Sequence, residues 1–188
     1  IAHLAAAVEE RWDSLDILVN NAGASWGEPI DDFSTQGWDK VMNVNVRSVF
    51  FLTQKLLPLL RAAATEARPS RIINTGSVNG LTPPEMDTFS YSSSKAAVHM
   101  LTKHLAKELA SDRITANAIA PGPFDSQMMA FALDDPRVRA GLAGDVPLGR
   151  IGVPDDMAGV AIYLASAAAS YVTGAVIPVG GGLSTIAK

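Results

Sequence analysis

Apolar residues along this chain fall into two kinds of run. In the first, Ile1, Leu4, Ala5, Val8 and Trp12 recur every three or four positions, with Glu9, Glu10 and Arg11 on the other side, which predicts an amphipathic helix. In the second, Leu15–Val19 is a short apolar run without alternation, and Arg71–Asn74, Ile114–Ile119 and Gly174–Val179 are further short strand-like runs. That is the pattern of strands covered on both faces. Pro178 would remove a ladder donor, which puts the last strand at an edge. Helices are predicted between the strands, over Gln36–Ala64 with a bend near Pro58, from near Tyr91 to about Ala110, and over Pro154–Ala168. Asp155 and Asp156 stand in the first turn of the last helix, where carboxylates favour the helix dipole. Asn43 and Asn45 sit inside a predicted helix, where asparagine is a poor choice. The segment 124–153 is less regular.

Strands alternating with long helices predict an α/β fold: a doubly wound parallel sheet, Rossmann-like, in three α/β/α layers with right-handed crossovers. With no repeat or linker, residues 1–188 read as one domain. The strand ends carry polar or glycine-rich sequence: Asn20–Gly23, Ser77, and Pro121-Gly122. In an open parallel sheet these ends form one crevice where ligands bind.

Composition removes several function classes. The net charge is −4 with no basic run, which argues against nucleic-acid binding. The absence of cysteine excludes disulfides and thiolate metal sites and fits a reducing cytoplasm. His3, His99 and His104 have no ligand-like spacing, so no metal is expected, and His99 and His104 are expected on a helix surface or interface. From Met157 to Ala187 there is no charge, but Gly174, Pro178 and Gly180–Gly182 break the run. A membrane-spanning helix needs about 20 continuous apolar residues, so no span is predicted.

The candidate chemistry lies in Arg71–Lys95. The strand delivers Ser77 just past its end. Tyr91 and Lys95 are four residues apart and share a helix face. A free phenol titrates near ~10, and a cation held close lowers that value. The phenol can then exchange a proton nearer neutral pH. Ser77 supplies a hydroxyl to hold an oxygen whose charge changes.

Together these residues resemble the short-chain dehydrogenase/reductase family. Asn20-Asn21-Ala22-Gly23 matches its NNAG motif, Asn45 its helix asparagine, Ser77 its serine, Tyr91-x-x-x-Lys95 its YxxxK, and Pro121-Gly122 with Ser126 its PG motif. Tyr171–Gly174 resembles the entry to its last strand. The resemblance implies hydride transfer with NADP(H), with NAD(H) as the alternative. It implies Tyr91 as general acid/base and Lys95 as the group that lowers its pKa and holds the nicotinamide ribose. Ser77 would hold the substrate oxygen, and Asn45 would anchor a water in a proton relay to Lys95. Asn20, Ala22 and Gly23 would line the adenosine side, and Pro121, Gly122 and Ser126 the nicotinamide. The matching helices in that family form dimers and tetramers.

The stretches SWGEPIDDF, KLLPLLR and PGPFDSQMM resemble the 3-oxoacyl-acyl-carrier-protein reductases, the rhamnolipid-pathway type above all. A carbonyl or alcohol substrate is then implied, carried as a thioester of acyl carrier protein or coenzyme A. Sugar, polyol and steroid dehydrogenases share the same skeleton. Met128, Met129 and Phe131 within 124–153 are expected to form a substrate lid. Trp26 lines the substrate entrance or packs its loop.

Two departures stand out. The family's N-terminal GxxxGxG phosphate turn is absent, and about 60–70 residues are expected to precede Ile1, at roughly 30 per strand–helix–strand unit. Leu15–Val19 would otherwise form an apolar sheet edge. Gly180 stands where the family has Asp, with a local packing effect expected. A non-catalytic dinucleotide-fold binding or regulatory fragment is the alternative of another class.

Overall fold

The computed structural model describes residues 1–126, 129 and 133–186. Four parallel strands form one sheet in the order β1 (Ile17–Asn20), β2 (Ser70–Thr75), β3 (Ile114–Pro121) and β4 (Val176–Val179). The helices are α1 (Ala2–Glu9), α2 (Thr35–Met42), α3 (Ser48–Ala63), α4 (Phe89–Leu109), α5 (Pro136–Asp145) and α6 (Pro154–Ala165). β4 is an edge strand, and Pro178 in it pairs with Ala120 where no inward donor is required.

Alternating residues of the strands send side chains to opposite faces, and each face has its own core. Ile72, Ile114 and Ala116 pack with Leu56 and Leu60 of α3 and Ala106 and Leu109 of α4, with Ala5 of α1 against them. Ile73 and Ile119 pack on the other face with Leu164 of α6 and Ala169. This is the expected three-layer, Rossmann-like architecture. One expectation needs correction. The strands proceed in one direction across the sheet, but α3 and α4 cross on one face and α6 on the other. The third crossover therefore has the opposite hand to the first two, and the crossovers do not all share the expected hand.

β1 also differs from its sequence pattern. Leu18 and Asn20 are buried, whereas Val19 is 52% exposed and Ile17 37%. The strand pairs only with β2, and no helix among the described residues covers its second face. It is the apolar edge that the sequence suggested, not a strand covered on both sides.

The long helix predicted over Gln36–Ala64 is two helices joined by a π-helical turn, Asn43–Arg47. Pro58 lies inside α3, which runs on through it. The irregularity thus falls at the two asparagines, not at the proline. α5 went unread in the irregular segment 124–153, although its start carries a helix signature. Asp135 caps it by accepting a hydrogen bond from the Arg137 amide, and Pro136 opens it. Of the expected lid residues, Met128 and Phe131 lie outside the described residues, and the Met129 amide donates to the Ser126 carbonyl.

Candidate active site

Register brings the site together. Asn20 pairs with Asn74, Thr75 with Ile119, and Pro121 with Val179, so the C-terminal ends of the strands lie level. Asn20–Gly23, Thr75–Ser77 and Pro121-Gly122 leave from this one rim.

Ser77 follows β2 in extended backbone and caps the 3-10 turn Val78–Gly80, its Oγ accepting from the Asn79 amide at 3.1 Å. It is 5% exposed. α4 starts two residues before Tyr91, which places Tyr91, Lys95 and His99 on the face turned to this turn. The Tyr91 phenol is raised above its ordinary value by burial, and its hydrogen bond with Ser77 works the other way. Lys95 is 4% exposed, and burial lowers its ammonium to about 8. Its Nζ lies 5.5 Å from the centroid of the Tyr91 ring and donates to the Thr75 carbonyl at 2.8 Å.

At Tyr91 burial acts in the opposite direction to the one expected from Lys95. The ammonium is directed at a backbone carbonyl, and loss of solvent dominates the titration of both groups. Two of the three ammonium donors of Lys95 remain for a ligand.

Asn45 is 1% exposed. The π-helical turn aims its amide at the loop after β1. Oδ1 accepts from the Ala24 amide at 2.8 Å, while Nδ2 donates to the Ala24 carbonyl at 2.9 Å and to Ser94 Oγ at 2.8 Å. Ser94 Oγ in turn donates to the Tyr91 carbonyl at 2.7 Å. The Asn45 side chain therefore holds the loop beside Gly23 and, through Ser94, the first turn of α4.

The side chain of Asn20 is engaged elsewhere. It donates to Asn74 Oδ1 at 2.9 Å and to Thr53 Oγ1 at 3.3 Å inside the core, which leaves its backbone at the rim. Asn21, Ala22 and Gly23 are exposed. A Cβ on Gly23 would lie 3.7 Å from both Asn45 Oδ1 and Lys95 Nζ, so the glycine keeps the space between them open. Pro121 and Gly122 are half-buried at the end of β3, and Ser126 is exposed beyond the Phe124–Gly152 bridge. An open rim of backbone, a gap between amide and ammonium, and free lysine donors fit a nicotinamide dinucleotide.

Trp26 packs its loop: its indole covers Gly37 of α2, and Lys40 Nζ lies 4.9 Å from the ring centroid. Beside it, Ile30, Phe33, Trp38 and Phe89 line an open apolar groove of about 370 Å³. A cavity of about 190 Å³ lies between Pro123, Phe124, Arg150 and Gly180, and neither Ser77 nor Tyr91 lines it. At Gly180 the packing is tight, since a Cβ there would meet Val78 at 3.0 Å.

His99 overturns its expectation: it is 5% exposed, under Ser77, while His104 is exposed as predicted. The available signal was its spacing, four residues beyond Lys95 on the same face. Ser94 was missed because a serine inside a helix carries no pattern of its own.

Comparison with known proteins bears on this geometry. The family model described as "Enoyl-(Acyl carrier protein) reductase" matches residues 1–184. The chain is 48% identical over 179 residues to the rhamnolipids biosynthesis 3-oxoacyl-[acyl-carrier-protein] reductase of Pseudomonas aeruginosa, covering 95% of this chain and 70% of that protein. The structure of the Pseudomonas aeruginosa RhlG/NADP active-site complex superposes with a TM-score of 0.94 at 47% identity, over 97% of this chain and 71% of that one. A gluconate 5-dehydrogenase from Burkholderia cenocepacia, in complex with NADP and tartrate, superposes with a TM-score of 0.90 at 35% identity, over 99% of this chain and 72% of that one.

Proposed function

Because the chain belongs to the short-chain dehydrogenase/reductase family, we propose that it is an NADPH-dependent reductase that converts a ketone, with 3-oxoacyl thioesters as the substrate class, to the alcohol. The observation that carries this reading is the convergence of Ser77, Tyr91 and Lys95 on one rim of the sheet. The 3-oxoacyl reductase name of the relative that is 48% identical, and the groove lined by Ile30, Phe33, Trp38 and Phe89, favour an acyl substrate over a sugar acid.

NADPH, when bound, supplies the hydride. Lys95, Gly23, Pro121, Gly122 and Ser126 would hold it, with the backbone of Asn20 and Ala22 toward the adenosine. The Ser77 hydroxyl donates a hydrogen bond to the carbonyl oxygen. Tyr91 then gives its phenolic proton to that oxygen as negative charge develops, leaving a phenolate and an alcohol. The buried Tyr91 phenol carries the proton that the developing alkoxide takes. The Lys95 ammonium, 5.5 Å from the ring, restores the proton to the phenolate once the alcohol has formed. Asn45 holds the loop between these groups and the cofactor, and its place in a proton relay is part of this proposal.

The thioester would be presented on acyl carrier protein or coenzyme A. Exposed Phe50, Phe89 and Met100 on α3 and α4 support assembly as a homodimer or homotetramer. Among the described residues no helix is long and apolar enough to cross a membrane. With the absence of cysteine, this supports a cytoplasmic setting.

The test is turnover of acetoacetyl-coenzyme A with NADPH, alongside a panel of gluconate, polyol and steroid substrates with NADP. Tyr91→Phe should lower kcat by ~10²–10⁴-fold with NADPH affinity unchanged. Faster turnover of gluconate would favour a sugar dehydrogenase. Cofactor binding without turnover across the panel would favour a non-catalytic binding protein.

A further inference from the structure

Ser77 stands in a turn that folds around one imidazole. His99 lies eight residues beyond Tyr91, about two turns along α4, and points into the segment Thr75–Gly80. The Ser77 amide donates to its Nε2 at 3.4 Å. A Cβ on Gly76 would overlap Nε2 and Cδ2 of the ring. One on Gly80 would lie 2.9 Å from Cε1 and 2.7 Å from the α4 backbone at Lys95 and Ala96. The ring thus fills the room that two glycines leave, with the Ser77 amide between them.

At 3.4 Å the hydrogen bond is long, so shape contributes more than bond energy. An aliphatic side chain could fill the same room but could not accept from the Ser77 amide. The accepting nitrogen needs its lone pair, so the ring is neutral with its proton on Nδ1. Burial and the charges of Lys95 and Lys103 favour that neutral form, against the Gly80 carbonyl, which favours the protonated one. Nδ1 itself is buried and makes no well-aligned hydrogen bond. No step of the reaction uses this ring.

We propose that His99 is a positioning residue: as a neutral wedge and acceptor, it sets where Ser77 presents its hydroxyl to the substrate oxygen and to Tyr91. The inference rests on the reading of Ser77 given above.

The test compares His99→Leu, which keeps bulk without the acceptor, with His99→Gln, which restores an acceptor near the Nε2 position. Both are made in the full chain and assayed with NADPH and acetoacetyl-coenzyme A beside Ser77→Ala. His99→Leu should lower kcat about 10–100-fold, as misplacement of a reacting group does, with KM for NADPH unchanged. His99→Gln should recover most of the loss, and the Ser77 amide should exchange with solvent faster in the leucine variant alone. Unchanged kcat in His99→Leu, with turnover lost in Ser77→Ala, overturns the inference and leaves the role of Ser77 standing. Wild-type turnover in Ser77→Ala overturns both. Should His99→Leu fail to fold, the nitrogen shifts of the wild-type ring decide: an unprotonated Nε2 supports the proposal, and a protonated Nε2 at neutral pH refutes it.

Discussion

Lys95 makes the fold less stable, and its chemistry explains why it is there. Burial lowers its ammonium from the usual 10.5 to about 8. Each unit is worth about 1.4 kcal/mol, so the charge costs roughly 3 kcal/mol in the folded state. The unfolded chain keeps that proton up to its higher value, while the folded chain releases it near 8. Stability due to this group therefore rises with pH between those two values, and the cost stands in full below them. Lys95→Met should stabilise the protein at neutral pH. The Thr75 carbonyl loses a donor, which takes back about 1 kcal/mol. The expected net gain is about 1–2 kcal/mol, or a few degrees in Tm, with turnover lost. The advantage should vanish as the pH of the calorimetric scan is raised through the lysine range. A drop in Tm at neutral pH would mean that the Thr75 hydrogen bond outweighs burial.

At the scale of the element, α2 shows local preference giving way to tertiary packing. Gly37 is in the first turn of α2 after the Ser34 cap, whose Oγ accepts from the Gly37 amide at 3.1 Å. Helix propensity alone favours alanine there by about 1 kcal/mol. A Cβ, however, would overlap the Trp26 indole, with Cγ at 2.7 Å among the atoms met. Burial of a large side chain is worth about 1.5–3 kcal/mol, of which half-buried Trp26 realises a part. Gly37→Ala should thus cost about 1 kcal/mol net. The emission of a variant whose only tryptophan is Trp26 should shift to the red. Higher stability with unchanged emission would show that the loop yields without loss. The junction of α2 and α3 follows the same logic. Sequence flagged Asn43 and Asn45 as poor helix residues, and the π-helical turn is the answer to that signal.

Across the whole molecule, buried amides join layers that the two hydrophobic cores keep apart. Asn74 of β2 accepts from Asn20 of β1 and donates to Thr102 of α4 at 2.9 Å, while Asn20 also donates to Thr53 of α3. Each member of this chain is buried. Asn117 does the same for the far edge, donating to the Val172 carbonyl at 2.8 Å and accepting from the Ala175 amide at 3.0 Å. Asn74→Ala leaves Asn20 without its better acceptor and Thr102 without its donor. The expected loss is about 2–4 kcal/mol, read from the midpoint of urea unfolding, with the transition still cooperative. A loss below 1 kcal/mol would mean that Thr53 and Val98 satisfy the two partners unaided.

By itself the sequence determined the strands, the helices α4 and α6, the layer architecture, and the convergence of Ser77, Tyr91 and Lys95 on the strand ends. Each of these follows from local periodicity and from spacing along one element, and both are properties of nearby residues. Only the tertiary structure decided that the last crossover has the opposite hand. It also decided that Asn20 turns into the core, that burial raises the Tyr91 phenol, and that His99 lies beneath Ser77. These outcomes depend on which surfaces meet across dozens of residues and on how much water that meeting excludes, and neither leaves a period in the chain.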